Sequence, residues 1–347
     1  MTTNKEPTIS DVARLAGVSH GTVSNVINGK PSVNRGTREA VVRAIHQLNY
    51  RPKGSARNLK KRSARNSLGL IIKELDNPFY TAVASGARQY ALEKGYSIFI
   101  SSSEGVHKEE RRLVEQFSSQ DVTGAIIAPS LEDAEAELSH LFQLKSLNFP
   151  FVLLEEIRGI QSNVVTINNT LAMKNAVKYL IDDGHSRILH FAGPEYTSHT
   201  ADRIRGVREA FSESNFAFDT ESMIVTAGAH MDEGKETARK VFQKLRRDEY
   251  PTAVVCYNDL IALGVISALL ELGIQVPEDV SVVGADDIDF AKNSPIPLTT
   301  ISTPKRALGR KAAELLIKMI ESPNAINGEK ITLASKLAVR QSTRPLT

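Results

Sequence analysis

The chain has 347 residues, more than one hydrophobic core normally serves, so two or three domains are expected. Apolar residues make up 41%, and no apolar run reaches the roughly 18 residues of a membrane span. The start, Met1-Thr2-Thr3-Asn4-Lys5-Glu6-Pro7, has no apolar leader, so a cytoplasmic protein with no membrane partner is expected. Cys256 is the only cysteine, which excludes an internal disulfide and a thiolate metal cluster; it reads as a small buried residue in a strand. The net charge of +3 conceals an asymmetry. Residues 1–66 hold 13 Lys and Arg against 3 Asp and Glu, while the rest holds 30 against 37. A basic head on an acidic body is the electrostatic footprint of a nucleic-acid-binding module joined to something else.

In chain order, the first elements are three short helices. Thr8 with Asp11 three residues later resembles a capping box, with Asp in place of the usual Glu or Gln, and Val12, Ala13, Leu15 and Ala16 supply an apolar face. Gly17 suits a left-handed exit. Ser19 caps a second helix whose Val23, Val26 and Ile27 face inward. Asn34 caps a third, with Val41, Val42, Ala44, Ile45 and Leu48 inside, and Asn49-Tyr50-Arg51-Pro52 ends it. Two helices joined by a glycine turn read as a helix-turn-helix. Ser19, Thr22, Ser24, Asn28, Asn34 and Thr37 lie where short polar groups and helix N-termini can meet phosphate. His20, Gly21 and Asn25 fall on the exposed face of the second helix, where Asn can pair with adenine and His can donate to guanine.

Residues 53–66 carry six further basic residues, with Leu59 as their one large apolar side chain. The segment is too short and charged for a stable isolated helix. Two readings stay open on the residues alone. It is a solvated linker, or it folds on phosphate and pushes Leu59 between base pairs from the minor groove.

From Leu68 the pattern becomes α/β. Strands are expected at 67–72, 96–100, 124–128, 151–154 and 164–167, with helices at 81–94, 108–120 and around 134–144. The alternation restarts with helices at 175–183, 203–214 and 259–272 and strands at 187–191, 253–256 and 280–284. Continuous apolar strands between helices mean parallel sheets covered on both faces. A faint repeat supports two similar halves: Gly86-Ala87-Arg88 lies ten positions before Tyr96, and Gly206-Val207-Arg208 ten before Phe216. Two such halves place a ligand cleft at the carboxyl ends of their strands. The polar groups at those ends are Asp76-Asn77-Pro78-Phe79-Tyr80, Glu155-Glu156, Arg203, Asn258-Asp259 and Asp286-Asp287. Carboxylates, amides, a guanidinium and aromatic faces suit a small polyol, sugar or nucleoside.

With these residues placed, the chain resembles the lactose-repressor/galactose-repressor (LacI/GalR) family of transcription regulators over nearly its whole length. The most specific stretch is Val12-Ala13…Ala16-Gly17-Val18-Ser19…Thr22-Val23-Ser24. Tyr50-Arg51-Pro52 and Ala56-Arg57-Asn58-Leu59 match the family hinge. Asn77-Pro78-Phe79-Tyr80, Gly184-His185, Asn258-Asp259-Leu260-Ile261-Ala262-Leu263-Gly264, Val283-Gly284-Ala285-Asp286-Asp287 and Pro297-Leu298-Thr299-Thr300-Ile301 match the body. The resemblance implies an all-α helix-turn-helix head (1–52), a hinge (53–66) and an α/β periplasmic-binding-protein-like body (67–347) of two parallel-sheet subdomains. The first subdomain is expected at about 67–167 plus 298–328, the second at about 168–297 plus 329–347. It implies a homodimer on a near-palindromic double-stranded operator, with hinge helices that form there and paired Leu59 side chains that open the minor groove. DNA contacts then extend from Thr8 through Tyr50 to Ala56, Arg57, Leu59 and Lys60. Ligand between the subdomains changes their angle and orders or releases the hinge. Arg203 and Asp286 match effector-contact positions, with Phe79, Tyr80, Glu155 and Asn258 joining them; repression is the commoner outcome of this architecture.

This chain departs from the family pattern in places. Asn25 stands where the recognition helix commonly has Arg, Gly21 where a side chain is common, and Glu155-Glu156 where a single Asp is more usual. The end of the chain, Arg340-Gln341-Ser342-Thr343-Arg344, has no leucine heptad, which favours a dimer over a tail-linked tetramer. His185, in its Gly-His turn, reads as structural. An enzyme is the main competing class, but the chain lacks a dinucleotide fingerprint, a Walker loop, H-E-x-x-H and G-x-S-x-G, and its eight histidines lack metal-ligand spacing. No catalytic residue, metal or cofactor is therefore expected. The effector is expected to be sugar-like, with a purine or nucleoside ligand, or a phosphoprotein co-regulator, as the alternatives.

Overall fold

The computed structural model describes residues 7–27, 30, 32–48, 50, 66–119, 122–130, 138–157, 159–322 and 328–346. The chain divides into two compact units at Asn66/Ser67, each described by itself. The predicted hinge residues 53–65 lie outside the described residues, as does Asn28.

The first unit has helices α1 (Ile9–Ala16), α2 (His20–Ile27) and α3 (Arg35–Gln47). Their ends are set by side chains that satisfy otherwise orphaned backbone N–H groups. Thr8 Oγ1 accepts from Asp11 N at 3.3 Å, and Asp11 Oδ2 accepts from Thr8 N at 2.9 Å. Gly17 takes φ 65°, the left-handed exit. Ser19 Oγ accepts from Thr22 N at 3.1 Å, and Asn34 Oδ1 from Thr37 N at 2.8 Å. Val12, Ala13, Val23, Val26, Val41, Ala44 and Tyr50 form one small core. Leu15 and Val42, expected inside, are 47% and 42% exposed. The inward face of α1 is Ile9, Val12, Ala13 and Ala16, and that of α3 is Val41, Ala44, Ile45 and Leu48. Both follow the i, i+3, i+4, i+7 rule, and Leu15 and Val42 lie off that stripe.

The body is two six-stranded sheets. The first contains β1 (Ser67–Ile72), β2 (Ser97–Ser102), β3 (Gly124–Ile127), β4 (Phe151–Leu153), β5 (Asn163–Ile167) and β11 (Lys330–Leu333), in the order β11-β5-β4-β3-β1-β2. The second contains β6 (Ile188–Ala192), β7 (Ile224–Thr226), β8 (Ala253–Cys256), β9 (Ser281–Asp286), β10 (Thr299–Ser302) and β12 (Lys336–Ala338), in the order β12-β10-β9-β8-β6-β7. Every pairing is parallel except β10 with β12.

Helices α4 (Pro78–Glu93), α5 (His107–Ser119), α6 (Ser139–Ser146) and α13 (Lys305–Glu321) cover the first sheet. Helices α7 (Asn169–Asp182), α8 (Ser198–Ser212), α10 (Met231–Phe242) and α11 (Asp259–Glu271) cover the second. Two short helices, α9 (Thr220–Met223) and α12 (Asp289–Lys292), complete the body. Strand side chains alternate between the two covers, as the pleat requires. Leu68, Leu70 and Ile72 pack with α4 and α13, while Ile71 packs with α5 and α6. Among the described residues, no helix is long and apolar enough to cross a membrane.

Two expectations for the subdomains are corrected. Thr299–Ser302, expected in the first subdomain, pairs with β9 in the second sheet. Lys330–Leu333, expected in the second, pairs with β5 in the first. The chain therefore crosses between subdomains three times, at β5–α7, β10–α13 and β11–β12. A strand's allegiance is decided by its pairing partners, which its own residues do not name.

The internal repeat is physical. β1 and β6 occupy the same place in their sheets, and each is followed by a helix with a buried glycine, Gly86 or Gly206. A Cβ at Gly86 would strike the carbonyl of Arg306, and one at Gly206 the backbone at Thr170. Both helices thus lie backbone to backbone against a crossover helix, α13 or α7. Gly86→Ala is expected to lower body stability by about 1–3 kcal/mol in urea denaturation, because backbone cannot yield as a side chain does. A loss of only a few tenths would show that the two helices part easily.

Candidate functional site

The head presents its polar residues as follows. Thr8, Ser19, His20, Gly21 and Asn34 are exposed, and Thr22, Ser24, Asn25 and Thr37 are half-buried. Thr8, Ser19 and Asn34 already cap helices through one side-chain oxygen. Tyr50, expected at DNA, is instead 8% exposed within the head's core. Its ring closes the apolar cluster after α3, which is where an aromatic side chain gains most from burial. Ala56, Arg57, Leu59 and Lys60 lie outside the described residues, with Asn28.

In the body a cleft opens at the carboxyl ends of both sheets. Its walls include Phe79, Tyr80, Glu155, Arg203, Asn258 and Asp286, all six expected effector residues. Of the other strand-end residues, Asp76 is exposed, Glu156 pairs with Lys330 at the surface, Asp259 is fully buried behind the wall, and Asp287 faces the crossovers. Lys73, Glu74, Asn169, Thr197, His199 and Tyr257 also line the cleft and were not anticipated. The signal was present for some of them. Lys73 directly follows β1, and Tyr257 directly follows β8.

Arg203 is the centre of one wall. Thr197 Oγ1 accepts from Thr200 N at 3.2 Å, so α8 starts at Ser198, earlier than expected, and carries Arg203 in its second turn. The guanidinium stacks 4.4 Å over the Tyr257 ring. It donates to Asn169 Oδ1 at 3.3 Å and to the Tyr257 carbonyl, and stands 3.9 Å from Asp286 Oδ1. Burial raises the Asp286 carboxyl, and Arg203 opposes that rise. Asp286 has φ 122° and Asp287 φ 59°, conformations costly for residues with a Cβ. They are held by Lys305, whose ammonium donates to both carbonyls, and by Ser302 and Arg340 on the Asp287 carboxylate at 2.7 and 2.5 Å.

The opposite wall carries a second pair, Lys73 Nζ to Glu155 Oε1 at 2.8 Å, with side chains 15% and 4% exposed. Burial would raise the Glu155 carboxyl. His199, Lys73 and the hydrogen bond from Ser198 outweigh it and hold the group at about 2. His199 is pushed down to about 4 by burial, so at neutral pH the ion pair is Lys73–Glu155. Phe79 and Tyr80 meet edge to face at 5.1 Å beside it. Asn258 is committed to structure. Its Oδ1 accepts from Ile261 N and its Nδ2 donates to the Ala229 carbonyl, both at 2.8 Å. Among the described residues no group of His, Cys, Asp and Glu could hold a metal ion. Two other residues behave as read from the sequence. His185 ties Thr252 to the Arg344 carbonyl, both at 3.0 Å, and Cys256 is buried in β8.

Residues 8–53 match a family model described as bacterial regulatory proteins, lacI family, and residues 177–343 one described as periplasmic binding protein-like domain. The HTH-type transcriptional repressor PurR of Vibrio atlanticus (strain LGP32) is 35% identical over 315 residues, covering 90% of this chain and 92% of that protein. The chain belongs to the lacI family of bacterial regulatory proteins. Among solved structures, the transcriptional regulator CelR–cellobiose complex superposes with a TM-score of 0.71 at 30% identity, covering 97% of this chain and 99% of CelR. The lac repressor dimer bound to operator and the anti-inducer ONPF gives 0.75 at 26% identity, covering 98% and 100%. The lacI-family chain is thus a DNA-binding transcriptional repressor with a helix-turn-helix head and an effector-binding body.

Burial makes one histidine a pH reporter for the body. His190, 0% exposed, donates through Nδ1 to the Val255 carbonyl at 2.9 Å and is pushed down to about 4 by burial. A histidine depressed on folding adds stability that is present above its unfolded value of 6.5 and is lost as pH falls from there toward 4. The expected loss is about 3 kcal/mol in urea titrations across that window. His190→Gln should flatten the slope. His199, also held down to about 4, shares this window, and Glu155 begins to lose its contribution below its ordinary value of 4.5, at the acid end of it. An unchanged slope in His190→Gln would assign the acid sensitivity to other groups.

Proposed function

We propose that this repressor binds a near-palindromic operator as a homodimer in the cytoplasm and is controlled by a neutral, sugar-like effector held between its subdomains. The observation that carries the effector reading is the pairing of charge in the cleft. Arg203 stands beside Asp286, and Lys73 beside Glu155, with Phe79, Tyr80 and Tyr257 nearby. A hydroxyl both donates and accepts, so each cation–carboxylate pair offers a hydroxyl both of its partners. Lys73 is already matched by the Glu155 carboxylate, which disfavours an anionic ligand at that wall. Aromatic faces cover the C–H surface of a sugar ring. The cellobiose in the CelR complex supports the same class.

Dimerisation is supported by an exposed apolar edge. β2 is the outermost strand of its sheet, with Phe99 56% and Ile100 40% exposed, and Leu92 of α4 is 64% exposed. Unpaired edges and apolar patches of this kind favour association. In the head, Ser19, Thr22 and Asn34 support phosphate contact, while His20 and Asn25 support base contact. Leu59, Arg57 and Lys60 remain assigned to the minor groove by the family hinge pattern.

Selection of bound sites from a random DNA library, with and without pooled sugars and nucleosides, tests the whole reading. A palindrome whose enrichment a sugar shifts supports it. A nucleoside response replaces the effector class, and no motif under either condition removes the reading. Asp286→Ala should keep full operator affinity and lose at least tenfold in effector response; a retained response moves the ligand elsewhere. Asn25→Arg should change the selected sequence within each half-site, with about 1–3 kcal/mol at stake per base contact. An identical sequence logo would show that Asn25 reads no base.

A further inference from the structure

The Lys73–Glu155 pair does more than line a wall. Both residues stand at strand ends of the first subdomain, Lys73 after β1 and Glu155 after β4. The other carboxylate oxygen, Oε2, is held from the second subdomain. Ser198 Oγ donates to it at 2.6 Å, and His199 Nε2 stands 3.4 Å away. Ser198 and His199 form the first turn of α8, whose N-terminal dipole also favours a carboxylate there. Glu155 is therefore shared, one oxygen for its own subdomain and one for the opposite subdomain. A second contact crosses at another flank, where His230 Nε2 lies 3.6 Å from Glu74 Oε1.

We propose that Lys73 is a positioning residue that holds Glu155 as a latch between the two subdomains, so that a ligand reaching Glu155 must compete with Ser198 and His199. This rests on the cleft being the effector site. A carboxylate buried at 4% exposure needs a neighbouring cation to stay ionised and aimed. Lys73 supplies that charge from beneath, which leaves Oε2 directed across the cleft. Without the ammonium, Glu155 would regain water by swinging outward, and the bond to Ser198 would go with it. The latch fits a repressor that switches by changing the angle between its subdomains. The same carboxylate serves either closure or ligand.

Cleft width in the ligand-free, DNA-free full-length protein tests the latch. Lys108→Cys and Asp232→Cys, at exposed first turns of α5 and α10, carry spin labels on either side. The labelled chain is diluted into excess unlabelled chain so that only distances within one chain are read by double electron–electron resonance. The parent should give one dominant short distance. Lys73→Met should move most molecules to a longer one, and Lys73→Arg should restore the parent distribution. Identical distributions for Lys73→Met and the parent would overturn the latch. Should Lys73→Met fail to fold by circular dichroism, the double variant Ser198→Ala/His199→Ala decides, since it removes the contact from the far side and leaves the buried pair intact. A shift to longer distance supports the proposal, and no shift overturns it. No effector or operator enters the measurement, so its failure is distinct from a failure to find a sugar ligand.

Discussion

The aspartate doublet at the end of β9 joins the two tasks of the body in adjacent residues. Asp286 faces the cleft beside Arg203, while Asp287 turns away and is gripped by Ser302 and Arg340. Lys305, at the start of the helix that returns the chain to the first subdomain, donates to the carbonyls of both. Two successive non-glycine residues at positive φ persist only where their surroundings over-determine them. Here the over-determination comes from the crossover segments. The backbone beneath the Asp286 carboxylate is therefore held by groups at the β10–α13 crossover and by Arg340.

Burial of charge shapes the cleft more than apolar packing does. Two cation–carboxylate pairs sit where water is scarce, and such pairs are costly to form and costlier to break. Their worth lies in aim. Arg203 is fixed by Asn169, the Tyr257 carbonyl and the Tyr257 ring. Glu155 is fixed by Lys73 and Ser198. A cleft built this way is preorganised, its polar side chains already held in place. The cost is met by the sheets behind it, whose central strands are buried on both faces.

Local chemistry made the head and the strands of the body legible from sequence. Thr8, Ser19 and Asn34 cap helices through interactions confined to four residues, and Gly17 needs only its own φ. The strands 67–72 and 253–256 were bounded by composition alone, since continuous apolar runs between helices have few other uses. Strand ends pointed to Asp286 and Glu155, and both line the cleft at the carboxyl ends of the sheets. The helix with Arg203 was expected too late in the chain, because its true cap, Thr197, precedes a polar first turn with no apolar stripe.

What the sequence determined by itself was everything that acts over a few residues or through repetition: caps, turns, strand cores, the two-fold α/β pattern and the basic head. What tertiary structure alone decided was partnership between distant segments. Lys330–Leu333 and Thr299–Ser302 joined sheets opposite to those expected, because a strand is placed by the neighbours it hydrogen-bonds and not by its own residues. Tyr50 went into the core, Asn258 became a cap, and Lys73 and His199 met at Glu155 across 126 positions of chain. These outcomes depend on which backbones can approach. Gly86 and Gly206 permit that approach, but where the approaching helix comes from is a property of the whole fold.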